Sequence, residues 1–163
     1  MEEHASLHLF NGHSIILNQR EKRHVTCVLG AGKRMATIEQ IMTRELSVIS
    51  KATTIQEAAG QMHDQLIGSL LVKEGEEYSG IITEADIVRA VAQQMNVAVV
   101  TVEEVMSSPI LTVEKNLSPH YARDVMGGKR IRHLAVTDTG AIVGIVSARD
   151  LLAYFKTVSK EIE

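Results

Sequence analysis

The strongest constraint on this chain is a repetition at a fixed spacing of 64 residues. Gly80-Ile81-Ile82-Thr83-Glu84-Ala85-Asp86 returns as Gly144-Ile145-Val146-Ser147-Ala148-Arg149-Asp150. The same offset carries Met42 to Met106, Lys51 to Lys115, Ala58 to Ala122, Met62 to Met126, Ile67 to Ile131 and Val72 to Val136, without a gap. Solenoid units run roughly 20–50 residues, so the pattern describes a duplicated mini-domain. Two such copies packed together create pseudo-twofold clefts, and a cleft between copies is a natural place for a ligand.

Each copy reads as helix, strand, helix, strand, strand, helix. In the first copy Ile38, Ile41 and Met42 make a short amphipathic turn, and Leu46 to Ile49 is extended. Thr54 with Glu57 forms a capping box that opens a helix with Ile55, Ala58, Ala59 and Met62 on one face. Leu70-Leu71-Val72 and Tyr78 to Thr83 are strands joined by a polar loop, Lys73 to Glu77. Asp86 to Met95 resumes helical spacing through Ile87, Val88, Val91 and Met95. In the second copy Val102, Val105 and Met106 match the opening turn, and Ile110 to Val113 is extended. Ser118 is an N-cap followed by Pro119 at the first helical position. Leu134 to Val136 and Ala141 to Val146 form a hairpin across Asp138-Thr139-Gly140, and Leu151 to Val158 closes as a helix. The apolar linker Val97-Ala98-Val99-Val100 is read as either an added strand or simple core packing. The expected domains are an N-terminal extension over 1–35, a first copy over 36–95 and a second over 100–158.

At 45% hydrophobic residues the 163-residue chain can bury a core. A formal charge of −3 lacks the basic stripe of a nucleic-acid binder, and 3% aromatics supplies few stacking platforms. No apolar run approaches the ~18 residues needed to span a bilayer, and no secretory signal is evident. The single cysteine, Cys27, has no internal disulfide partner, which fits a reducing cytoplasm. Residues 1–35 lie outside the repeat, and Met35 is a second candidate start; an upstream extension or poorly ordered arm is expected there. His4, His8 and His13 invite a metal reading but have no completing ligand, so no metal site is expected. Gly30-Ala31-Gly32-Lys33 fits no phosphate-loop spacing and reads as a turn. His63 and His120 are expected at the surface, and the methionines in the core. No nucleophile–base–acid set or paired catalytic carboxylates emerges, so an enzyme is not expected.

The chemistry lies in the shared pattern Gly-aliphatic-aliphatic-Thr/Ser-x-x-Asp, where a strand hands over to a helix. Glycine removes a side chain where another backbone or a flat ring approaches. The hydroxyl of Thr83 or Ser147 can cap the helix or meet a ligand oxygen. Asp86 or Asp150 in the first turn is favoured by the helix dipole, and its two oxygens can receive both hydroxyls of a ribose. Free N–H groups at the same helix end can take a phosphate. The plainer alternative is that Thr83 and Ser147 are N-caps and the two aspartates first-turn acids.

The whole arrangement resembles a tandem pair of cystathionine-β-synthase (CBS) domains. The matching segments are Ile41-Met42-Thr43 and Val105-Met106-Ser107, the Thr54 and Ser118 helix starts, Ile67 to Val72 and Ile131 to Val136, and the closing Gly-x-x-Thr/Ser-x-x-Asp followed by Ile87-Val88 or Leu151-Leu152. The resemblance covers about residues 36–156. It implies an α+β fold of two tandem domains related by pseudo-twofold symmetry, each a small sheet packed by two helices. It also implies a regulatory module rather than an enzyme, one that binds an adenosine-containing ligand (AMP first, then ADP, ATP, S-adenosylmethionine or an NAD-type ligand). Such clefts are built crosswise. One would use Ser47, Ile67, Gly68 and Ser69 with Ser147, Arg149 and Asp150; the other Leu111, Ile131, Arg132 and His133 with Thr83 and Asp86. Lys129 and Arg130 beside Arg132 and His133 lead us to expect a nucleotide phosphate in the second cleft, unless that run is only a solvated turn. The first cleft, with only Arg149 nearby, is expected to bind more weakly, to stay empty or to suit a less charged adenosyl compound. A homodimer is also implied, together with a regulated protein partner; Ile87, Val88, Leu151 and Leu152 are read either as its contact positions or equally as core. A ligand-free dimerising scaffold is the rival reading.

Overall fold

The computed structural model describes residues 36–160. The readings made for residues 1–35, including the histidines, Cys27 and the Gly-Lys turn, lie outside them. After a 3₁₀ turn at Ile38–Gln40 come β1 (Val48–Ser50), α1 (Ile55–Gln65), β2 (Ser69–Glu74), β3 (Glu77–Thr83) and α2 (Glu84–Ala92). The second copy supplies α3 (Val102–Val105), β4 (Thr112–Glu114), α4 (Pro119–Lys129), β5 (His133–Asp138), β6 (Ala141–Ser147) and α5 (Ala148–Lys160). The expected element order holds. Each copy forms a three-stranded sheet, β1-β2-β3 or β4-β5-β6, with the first pair parallel and the second antiparallel.

Local chemistry sets the helix starts. Thr54 Oγ1 accepts from the Glu57 N–H at 3.3 Å, and the Thr54 N–H donates to Glu57 Oε2 at 2.9 Å. Ser118 Oγ accepts from the Tyr121 N–H at 3.3 Å, with Pro119 where no N–H is needed. The linker after α2 is a turn, not a strand. Its carbonyls are spent on the start of α1, earlier in the chain: Val100 O accepts from the Ile55 N–H at 3.0 Å and Val97 O from the Gln56 N–H at 2.9 Å. Those are donors that the first turn of α1 cannot satisfy itself, so Val99 is left 68% exposed.

The copies exchange their opening turns. Ile38 and Met42 are buried with Val113, Ala122, Met126, Leu134 and Val146, all of the second copy. Val102 is buried with Ile49, Ala58, Met62, Leu70 and Ile82, all of the first. Backbone bonds repeat the exchange: Ile38 N–H to Leu117 O at 2.8 Å, and Val102 N–H to Thr53 O at 2.8 Å. Thr43 and Ile145 trade both N–H···O bonds, as do Ser107 and Ile81. The motif glycines serve this exchange. A methyl on Gly80 would sit 2.6 Å from Met106 Sδ and 3.0 Å from Ser107 O; on Gly144, 2.6 Å from Met42 Sδ and 3.0 Å from Thr43 O. The close neighbour is thus a strap from the other copy. A third cluster, built on Leu71, Ile81 and Ala135, joins the two sheets.

The helix pairs read as either dimer surface or core divide between the two. Ile87 is half-buried against the first core and Leu151 is buried in the second, while Val88 and Leu152 are 66% and 71% exposed. Val91 is also exposed. The core face of α2 runs instead through Asp86, Ile87 and Ala90.

Candidate functional site

Two cavities lie where the copies meet, of about 310 Å³ and 450 Å³. The first is lined by Ser47, Ile67, Gly68 and Ser69 from the first copy and by Ser147, Arg149 and Asp150 from the second. The second is lined by Thr83 and Asp86 from the first copy and by Leu111, Ile131, Arg132 and His133 from the second. Eleven of the thirteen candidate residues line one cavity each, and Arg132 and His133 line both. We call the two cavities the Asp150 cleft and the Asp86 cleft.

Both aspartates hold their own helix starts. Asp150 Oδ2 accepts from the Ser147 N–H at 2.7 Å and from Ser147 Oγ at 2.6 Å. Asp86 Oδ2 accepts from the Thr83 N–H at 2.8 Å and from Thr83 Oγ1 at 2.7 Å. The capping role is therefore present in both copies, and whatever a ligand uses must be what capping leaves over.

Arg132 and His133 differ from expectation in one respect: they line both cavities. The start of β5 abuts the end of the α1–β2 connection, so that a methyl on Gly68 would lie 3.4 Å from His133 Cε1. Arg132 Nη2 is 3.7 Å from Glu84 Oε2, an acid lining the Asp150 cleft. The Asp150 cleft is consequently not limited to Arg149 for positive charge. It holds Arg132 and Arg149 against Glu45, Glu84 and Asp150. The Asp86 cleft holds Arg89, Arg130 and Arg132 against Asp86 alone. Burial holds the His133 imidazole below its ordinary range, and the neighbouring Arg132 charge pushes the same way.

Sequence reasoning missed Arg89, Glu84 and Leu66. Arg89 Nη2 donates to Asp86 Oδ1 at 2.6 Å and to Val105 O at 3.2 Å. Its signal was a failed match, since 64 residues on stands Ala153. Leu66 and Arg130 end α1 and α4 in the left-handed region, both at φ 55°, and line opposite clefts.

The CBS domain family model matches residues 38–93 and again 102–157. The chain belongs to the CBS domain family. CBS pairs are regulatory ligand-binding modules. The CBS domain-containing protein YhcV of Bacillus subtilis is 32% identical over 117 residues, covering 72% of this chain and 84% of that protein. An uncharacterized protein of Methanopyrus kandleri is 35% identical over 122 residues, covering 73% of this chain and 62% of its own length. The present chain thus matches less than two thirds of that relative. Among solved structures, the CBS domain pair of protein MJ0100 in complex with methylthioadenosine and S-adenosyl-L-methionine superposes with TM-score 0.69 at 25% identity, covering 76% of this chain and 98% of that one. Among the described residues no helix is long and apolar enough to cross a membrane.

Proposed function

We propose that this CBS pair senses an adenosine-containing ligand, with AMP the first candidate, in its crosswise clefts and reports occupancy to a protein partner. The observation that carries the reading is the mixed origin of each cavity. A Thr/Ser–Asp helix start from one copy stands beside strand starts from the other. A ligand there touches both copies, so it biases their relative arrangement by whatever its affinity differs between arrangements. The module is read as a binder rather than an enzyme because the CBS family model accounts for both copies, and each Thr/Ser–Asp pair is engaged in a helix-start cap that also takes the backbone N–H. Val88, Val91 and Leu152, exposed on α2 and α5, suit a homodimer, and a cytoplasmic setting fits the composition.

A second reading, an S-adenosylmethionine or NAD-type ligand, draws on the acid excess of the Asp150 cleft, which suits a cationic sulfonium, and on the ligands of the MJ0100 pair. A thermal-shift titration with AMP, ADP, ATP, NADH and S-adenosylmethionine tests these readings. Ligand at about 100 times its dissociation constant should stabilise the fold by roughly 2.7 kcal/mol, a shift of several degrees. No shift with any of the five would favour the dimerising scaffold.

A further inference from the structure

We infer that the two clefts are specialised by Arg89: the Asp150 cleft takes the vicinal diol of a nucleoside, whereas the Asp86 cleft takes an anionic group without a diol. The inference rests on the ligand-binding reading above and says which part of a ligand each cleft accepts. A carboxylate offers about four lone-pair positions, two on each oxygen. In both copies the cap fills Oδ2 with two donors. Diol recognition must therefore use Oδ1. In Asp86 that oxygen is held by Arg89 at 2.6 Å, and the side chain is only 5% exposed. In Asp150 it has no donor among the described residues, and the residue lines an open cavity. Ala153, in the place of Arg89, carries no group that can reach it.

The rims agree with this division. Leu66, 81% exposed, lines the Asp150 cleft together with the apolar Leu46, Ile67 and Ile145. Such a wall suits the flat face of a base. At the same left-handed backbone position the Asp86 cleft has Arg130, joined there by Arg89 and Arg132. Guanidinium groups arranged so favour phosphate oxygens through charge-assisted bonds.

Calorimetric titrations with adenosine, 2′,3′-dideoxyadenosine and tripolyphosphate, on the full chain and four variants, test this. Wild type should bind one adenosine per chain, and the dideoxy compound about tenfold more weakly for want of a charge-assisted bond. Asp150→Asn, which keeps an acceptor for the Ser147 cap, should lose adenosine by a similar factor. Ala153→Arg should do the same by closing Oδ1. Arg89→Ala should gain a second adenosine site. Tripolyphosphate should weaken in Arg130→Ala and be indifferent to Asp150→Asn. Two equal adenosine sites in wild type, or adenosine unaffected by Asp150→Asn, would overturn the specialisation while leaving the sensor reading intact. No adenosine binding by any form would overturn both. Circular dichroism melts of each variant separate lost sites from lost fold.

Discussion

At the rim of the Asp150 cleft stands Leu66, and at the same backbone angle in the Asp86 cleft stands Arg130. Asp150 keeps an oxygen for the cavity; Asp86 gives its own to Arg89. Around these differences the frame barely changes. Caps, strand order, the bulge after Val72 or Val136 and the exchanged opening turns all recur. Even the ion pairs recur: Lys51 meets Glu74 and Glu103, and Lys115 meets Asp138 and Glu39, so each lysine ties its own hairpin to the other copy's opening turn. The two copies thus agree where they hold each other and differ at these positions around the cavities.

The most forceful way to break that comparison is to attack the frame at equivalent points. Ile38 and Val102 are both fully buried, each in the other copy's core. Ile38→Ala should cost about 2–5 kcal/mol in urea denaturation, and Val102→Ala less by roughly one buried methylene, ~1 kcal/mol. The crosswise exchange makes a sharper demand. In Ile38→Ala, amide exchange should quicken in β5 before β2, although Ile38 belongs by sequence to the first copy. Faster exchange in β2 first would contradict the exchanged frame.

A smaller effect sharpens the contrast between the aspartates. Arg89→Ala strands a nearly buried carboxylate, but the arginine is 53% exposed and solvent screens the pair. The loss should be about 1 kcal/mol, well below that of a fully buried pair. The equivalent change is already present in the second copy, where Ala153 stands and the fold is kept. Thermal melts of Arg89→Ala and Ala153→Arg should move in opposite directions; a shared direction would mean that the arginine serves packing rather than Asp86.

Much of this was legible in the chain, and the offset of 64 residues is why. A repeat shows each element twice, so the capping box at Thr54 and the proline start at Pro119 could be placed together. Periodicity carried less. The spacing of Ile38 and Met42 announces a buried face without saying which copy buries it. The glycine of the motif announces a close neighbour, and only the packing reveals a methionine and a strap carbonyl. Val88 and Val91 share helical spacing with Ile87, yet α2 turns Asp86 and Ala90 to the core, because the buried carboxylate finds its donors there. Val97 to Val100 looked like strand or core because apolarity does not report what the carbonyls are needed for. Crosswise cleft sets follow from the resemblance, but that Arg132 and His133 line both cavities does not, because the repeat says nothing of how closely β5 approaches the α1–β2 connection. Arg89 stayed unseen because its meaning lies in what Ala153 lacks.

The finest test uses His133, which stands between the clefts. Burial and Arg132 keep its folded pKa below the unfolded value of 6.5. A depressed imidazole stays neutral in the fold while the unfolded chain takes up a proton. Its contribution is therefore complete above about pH 6.5 and is lost as pH falls from there toward the folded pKa. Wild type should lose more stability than His133→Gln between pH 7 and pH 5, with parallel curves above. Bound tripolyphosphate in the Asp86 cleft should shrink that difference, because a nearby anion favours the imidazolium, and its affinity should rise on acidification in wild type but less so in His133→Gln. Adenosine, being neutral, should produce neither change. If adenosine and tripolyphosphate alter the pH profile alike, the two clefts are not electrostatically distinct at the residue they share.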